Sequence, residues 1–141
     1  HLLATTADGL ESFVFSGYYD LQLDERCAVQ TMGDLSIRCL PTNAAKIEKK
    51  FADPQCKIPI SEIEVGTCGN VLPKYAFEAM PGSCSGSIHT MYAIGAVHNA
   101  QIYVIDAGCI EDQKDPGRIY FRIGSMISPG AFAEMKTQYV H

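Results

Sequence analysis

The sequence predicts an all-β, antiparallel fold, a sandwich or small barrel, with three disulfides and one short C-terminal helical turn. Three observations point to it. Short runs of alternating apolar and polar residues are separated by turn residues at intervals of about 8–12 residues, the spacing of an all-β domain. Six cysteines, Cys27, Cys39, Cys56, Cys68, Cys84 and Cys109, are even in number and widely spaced, which suggests bridges made in an oxidising compartment. No Cys-x-x-Cys pair is present, which argues against a zinc or thioredoxin-type site.

The 141 residues suffice for one domain around one core, so residues 1–141 are expected to form a single all-β domain. With 47% apolar and 19% charged residues the chain is globular, not disordered. A net charge of −5 and a pI near 5.2 argue against nucleic acid or an anionic membrane as the main partner. The apolar runs are too short to span a bilayer. Position 1 is His, not Met, so a fragment, a processed form or a tagged chain is expected.

Taken in order, a turn signal at Thr5-Thr6-Ala7-Asp8-Gly9 precedes a strand expected over residues 12–19, with Phe13 and Phe15 on one face. Residues 28–32 and 35–40 flank Gly33-Asp34, a pair suited to a tight reversal. Cys27 and Cys39 lie equally far from Gly33. The expectation is therefore a hairpin with the two cysteines directly opposed and bridged. Residues 43–52 are ambiguous, since Ile47 and Phe51 fit a helical spacing and also alternate with Glu48 and Lys50. Residues 58–65 read as strand, and Pro59 marks that run as an edge. Further strands are expected over residues 74–80, 87–97, 100–107 and 118–123, with an acidic turn over 111–117. Ser128-Pro129 has the pattern of an N-cap followed by Pro at the first helical position, opening a helical turn through Met135. Residues 137–140 read as a returning edge strand. The segments Tyr92-Ala93-Ile94-Gly95 and Tyr120-Phe121-Arg122-Ile123-Gly124 echo each other with one residue inserted, as two equivalent strands ending on a glycine bend would.

Six cysteines allow 15 pairings. Pairing neighbours in sequence gives Cys27–Cys39, Cys56–Cys68 and Cys84–Cys109, and the repeated eleven-residue gap favours the first two.

A set of motifs occurs in order: Gly17-Tyr18-Tyr19-Asp20, Cys27, Arg38-Cys39-Leu40-Pro41, Phe51-Ala52-Asp53-x-x-Cys56, Pro73-Lys74-Tyr75-Ala76, Tyr92-Ala93-Ile94-Gly95, Cys109, and Ile123-Gly124 followed by Ser128-Pro129-x-x-Phe132. In these the chain resembles an uncharacterised family of cysteine-containing domains from exported proteins and lipoproteins of myxobacteria and related predatory bacteria. The resemblance runs over nearly the whole chain. It departs in the aromatic pair Tyr18-Tyr19 without tryptophan. It implies an extended segment over residues 47–51, and a place as the C-terminal head of a longer exported protein, often after a collagen-like Gly-x-y stretch. It carries over no catalytic residue.

The candidate chemistry is sparse. Gly82-Ser83-Cys84-Ser85-Gly86 mimics a nucleophile elbow, but a strand, not a helix, is expected after it, and Cys84 is needed for an even cysteine count. His89 and His98 are nine apart and read as one strand and one loop histidine. Glu111, Asp112 and Asp115 lack EF-hand spacing and read as a solvated turn. Adjacent Tyr18 and Tyr19 must face opposite sides of a strand, and an exposed tyrosine beside Asp20 would suit a binding face. Tyr18, Tyr19 and Asp20 are therefore the candidate ligand-binding residues.

The expectation is a non-catalytic, surface-displayed recognition or adhesion domain with no metal or cofactor, binding an envelope glycan or a surface protein of another cell. On a three-stranded stalk it would be a homotrimeric fibre tip, joined through the face of Ile88, Tyr92 and Ile94 or that of Ile102 and Val104. The alternatives are a purely structural trimerisation cap and a small secreted hydrolase.

Overall fold

The computed structural model describes residues 10–13, 17–66, 71–82 and 86–135. It is nearly all β, and the strands are β1 Leu10–Phe13, β2 Gly17–Asp20, β3 Glu25–Met32, β4 Ile37–Pro41, β5 Ala44–Phe51, β6 Pro59–Glu64, β7 Tyr75–Pro81, β8 Ser87–Val97, β9 Ile102–Ile105, β10 Cys109–Asp112 and β11 Arg118–Ile127. One turn of 3-10 helix follows at Pro129–Ala131, with Pro at the start as expected; Ser128 holds the N-cap position without a side-chain cap hydrogen bond, and the turn stops short of Met135. The expected strand at residues 137–140 lies outside the described residues. The chain divides into two compact units. One holds residues 1–43, 79–90 and 127–141, the other residues 44–78 and 91–126.

In the first unit β1 to β4 form an antiparallel meander. The single strand expected over residues 12–19 is two strands, β1 and β2, paired from Leu10↔Asp20 to Phe13↔Gly17. The Cys27–Cys39 bridge is present, with Cα atoms 5.2 Å apart. Its register is not the expected one. Cys27 pairs with Pro41 and Val29 with Cys39, so the bridge runs diagonally. The reason lies in the turn. Gly33, Asp34 and Leu35 together form a three-residue loop, closed by Leu35 N–H to Met32 O and Met32 N–H to Ser36 O, each 2.9 Å, and Leu35 takes a left-handed φ of 66°. The loop is centred on Asp34, one residue beyond Gly33, and this moves the cysteines out of opposition by two positions, which keeps both on one face. The start of β8 runs parallel to β3, at Thr31↔Ile88 and Met32↔His89. The other edge of β4 is covered by residues 133–135, through Cys39 N–H to Ala133 O (2.9 Å) and Met135 N–H to Ile37 O (2.8 Å).

The second unit is a five-stranded barrel. β5, β6, β11, β8 and β7 follow one another in the ring, and β7 closes it by pairing with both β8 and β5. The closing β5–β7 pair is parallel, as is β3–β8, so the fold is mixed where an antiparallel one was expected. Alternation fills the interior. Ala45 sits opposite Ala76 and both are fully buried; Phe121, Ile119, Ile63, Tyr92 and Ile94 pack around them. Ile60 and Tyr120 point to the outer face and pack against Ile102 of β9. The faces proposed above for a subunit interface are thus used within the chain, because Tyr92 and Ile94 fill the barrel and Ile102 is fully buried.

Several element assignments change for tertiary reasons. β6 is a central strand between β5 and β11, not an edge; Pro59 is its first residue, where a missing N–H is tolerated. Residues 44–51 are a strand, as the resemblance implied. A bulge between Ile47 and Lys50, where Lys49 takes a φ of 58°, interrupts their pairing with β6. Glu111 and Asp112 belong to β10, paired with Tyr103 and Ile102 across the β9–β10 hairpin, and not to an acidic turn. The internal echo marks neighbouring strands β8 and β11, and each of its glycines lies against the other strand's backbone.

Candidate functional site

The expected binding residues separate into different roles. Tyr18 packs against the Cys27–Cys39 bridge with Ala133 and Met135. Asp20 is buried, and its Oδ1 accepts the backbone N–H of Gln22 (2.9 Å) and of Leu23 (3.1 Å), so it shapes the β2–β3 turn. Tyr19 points elsewhere and donates its hydroxyl to the Asp24 carboxylate. That bond to Asp24, more than burial or the charges of Asp24 and Glu25, holds the phenol above its ordinary pKa. Of the three, Tyr19 offers a polar tip and Tyr18 belongs to the core.

The disulfide-braced hairpin brings together a group that the sequence reading passed over. Val29 and Ile37 stand in the same diagonal relation as Cys27 and Cys39, one step nearer the tip. They are 40% and 43% exposed, and Leu35 on the tip itself is 73% exposed. The face that starts at a buried bridge thus runs out into uncovered aliphatic surface. The signal was available: Cys27, Val29, Cys39 and Ile37 share parity in sequence, and only the bridge end has a partner to bury against. Asp34 fixes the loop by accepting the Ser36 hydroxyl (2.5 Å) and amide (3.0 Å). Those two bonds, the hydroxyl's first, hold its carboxyl below the ordinary aspartate range.

A second constellation lies on the outer face of the barrel. Glu62 is nearly buried, with a side chain 4% exposed, and it meets Lys50 at 3.2 Å and Arg118 at 3.1 Å. Arg118 also reaches Glu64 (3.3 Å) and Asp115 (3.6 Å), and the Glu62 charge is the main cause of its raised pKa. Lys50 Nζ lies 5.5 Å from the centre of the Tyr120 ring, and the Tyr120 hydroxyl accepts the Asp115 N–H. Two cations, Lys50 and Arg118, thus meet three carboxylates, Glu62, Glu64 and Asp115, across β5, β6 and the start of β11. Arg118 comes to the β5–β6 pair from β11, distant in sequence, so no local motif announces the network.

The remaining candidates are spread out. His98 is buried in the loop after β8, with Nε2 3.0 Å from Gln101 O. His89 lies on β8, and burial lowers its pKa. Asp115 accepts the Gly117 N–H while Glu111 and Asp112 lie on β10. Among the described residues no three His, Cys, Asp or Glu side chains converge as a metal site would need. Ser83, Cys84 and Ser85 lie outside the described residues; Gly82 N–H to Gly86 O (2.7 Å) closes that loop and β8 follows it.

The second bridge overturns the sequential pairing. Cys56 is joined to Cys109, with Cα atoms 5.7 Å apart, so neither Cys56–Cys68 nor Cys84–Cys109 forms. β9 pairs with the end of β5 at Lys50↔Val104 and Phe51↔Tyr103, which brings the β9–β10 turn to the loop after β5. Cys68 and Cys84, the remaining pair, lie outside the described residues.

The architecture is therefore that of an all-β domain with a five-stranded barrel, braced by disulfides of the kind made in an oxidising compartment. Among the described residues no helix is long and apolar enough to cross a membrane. Residues 4–132 match the model of a family of unknown function (DUF7481), and the chain belongs to that family. No curated protein and no solved structure matches the chain.

Proposed function

We propose that this chain is a non-catalytic recognition domain of an exported protein, displayed at a cell surface and binding an envelope glycan or a surface protein of another cell. The observation that carries the reading is Leu35. A bulky residue at a φ of 66° costs of order 1 kcal/mol, which Gly or Asn would avoid. Its side chain, 73% exposed, returns little by burial. Folding alone gains nothing from leucine there, whereas a partner contacting the tip would. The bridge below the tip and the Asp34–Ser36 bonds within it hold the loop in one shape, which lowers the entropy cost of binding. The resemblance to domains that follow collagen-like stretches adds the further proposal that the head is carried as a homotrimer.

The test is a binding screen of the purified protein against glycans and envelope fractions, run beside light scattering for its mass. Leu35→Gly is the informative variant. It relieves the backbone and removes the aliphatic side chain, so it should unfold no earlier than the parent and yet bind at least about tenfold more weakly, a loss of about 1.4 kcal/mol. Binding unchanged in Leu35→Gly, or no binding in any fraction, rejects the tip as a recognition surface. A monomer mass at high micromolar concentration rejects the trimer alone.

A further inference from the structure

The two bridges occupy different surroundings. Cys27 and Cys39 are 2% and 0% exposed, inside a core cluster and between hydrogen-bonded strands. Cys56 and Cys109 are only partly buried. Cys56 also sits at a φ of 53°, a left-handed conformation that a non-glycine residue keeps only when its surroundings impose it. The element that this bridge holds has little else holding its far end. The tip half of the β9–β10 hairpin presents Ile105 at 66% and Ile110 at 46% exposure, so packing contributes little there. Its ladder to β5 consists of Lys50↔Val104 and Phe51↔Tyr103. The base of the hairpin is secured differently, by buried Ile102 against Ile60 and Tyr120 and by the Gln101 side-chain amide donating to Asp112 O (2.7 Å).

We infer that Cys56–Cys109 is a reducible clasp. Opened by a dithiol reductant, it frees the outer half of the β9–β10 hairpin from the end of β5 while the barrel and the Cys27–Cys39 hairpin persist. In the first step a reductant thiolate attacks one Sγ of the bridge. The Cys56–Cys109 S–S bond breaks, a mixed disulfide forms, and the other Sγ leaves as a thiolate and takes a proton. The reductant's second thiol then closes on its first. This releases the second protein thiol and leaves the reductant as a disulfide, with two electrons passed to the protein. Exposure selects this bridge because the attacking thiolate must reach a sulfur in line, which the buried pair does not allow. The barrel persists because its ring of β5, β6, β11, β8 and β7 is closed without β9 or β10. What opens is the end of β5: Lys50 and Phe51 lose their partners in β9, leaving an unpaired strand edge beside Ile105 and Ile110.

The experiment uses the folded protein and dithiothreitol. Samples are quenched with a light alkylating reagent, then denatured, fully reduced and labelled with a heavy one. Cys56 and Cys109 should take the light label at a dithiothreitol concentration about tenfold below that needed for Cys27 and Cys39. At that concentration, hydrogen exchange should accelerate in peptides covering residues 50–58 and 102–111. Peptides over residues 25–41 and 118–126 should stay protected. The double variant Cys56→Ser, Cys109→Ser should show the same exchange pattern without reductant. Coincident reduction of the two bridges overturns the inference. So does selective reduction that leaves exchange at residues 50–58 and 102–111 unchanged, because the hairpin would then be held by packing.

Discussion

Replacing Gly95 or Gly124 with alanine should destabilise the barrel through one shared seam. The two glycines face each other's strands across the β8–β11 pair. A Cβ at position 95 would stand 2.6 Å from Arg122 O, 2.8 Å from its carbonyl carbon and 2.9 Å from its Cβ. A Cβ at 124 would stand 2.7 Å from Ala93 O. An ordinary carbon–oxygen contact is about 3.3 Å, so the strands must part by roughly 0.6–0.7 Å. The obstacles are backbone atoms, so no side-chain rotation relieves them. Ladder bonds near 2.9 Å would stretch to about 3.5 Å, the edge of useful geometry. Overpacking plus a weakened bond gives a loss of about 1–3 kcal/mol for each variant. The lower unfolded-state entropy of alanine offsets only about 0.5 kcal/mol of it. The double variant should cost less than the sum, because a seam already parted for one methyl accommodates the second. Urea unfolding at constant m measures all three. Gly33→Ala and Gly130→Ala are the controls, since a Cβ at either site meets nothing within 4 Å. Single variants within about 0.5 kcal/mol of the parent would refute the steric argument; strict additivity would refute the shared seam.

Glu62→Gln should lower stability by about 1–2 kcal/mol, less than the cost of breaking a fully buried pair, because Lys50 and Arg118 keep 24% and 29% of their side chains exposed; calorimetry checks it, and an unchanged Tm would remove the network from the stability of the barrel. Asp34 has a folded pKa below its unfolded one, so its contribution is complete above the unfolded value and is lost as pH falls through the folded value. An NMR titration should find its carboxyl below the ordinary range, and Ser36→Ala should bring it back up. Breaking Cys27–Cys39 with serines should cost about 3 kcal/mol from loop-closure entropy, and breaking Cys56–Cys109, with its longer span of 53 residues, about 4 kcal/mol. Equal losses measured by chemical denaturation would set aside the entropic account. With those two bridges made, Cys68 and Cys84 are the cysteines left for a third, so the unreduced, unfolded chain should take up no alkylating reagent; two labels per chain would show them free.

The sequence by itself determined what depends on near neighbours. Period-two alternation marked β7, β8 and β11 because a strand shows its two faces in consecutive residues. Cys27 and Cys39 were legible as a pair because a short loop at Gly33 leaves few ways to join the flanking strands. Ser128-Pro129 announced the helical turn through the fixed φ of proline. Tertiary structure decided whatever required knowing which strand lies beside which. The Cys56–Cys109 bridge depends on β9 pairing with the end of β5, which no spacing between cysteines encodes. Pro59 marked an edge by local rule, yet β6 is central because only its first residue lacks a donor. Glu62 found Lys50 and Arg118 because β6 runs between β5 and β11. Ile47 and Phe51, four apart, suit one face of a helix or of a strand alike, and only the pairing of β5 with β6 resolved it. Alternation reports which way a side chain faces, while its partner is chosen by the burial of surfaces far apart along the chain.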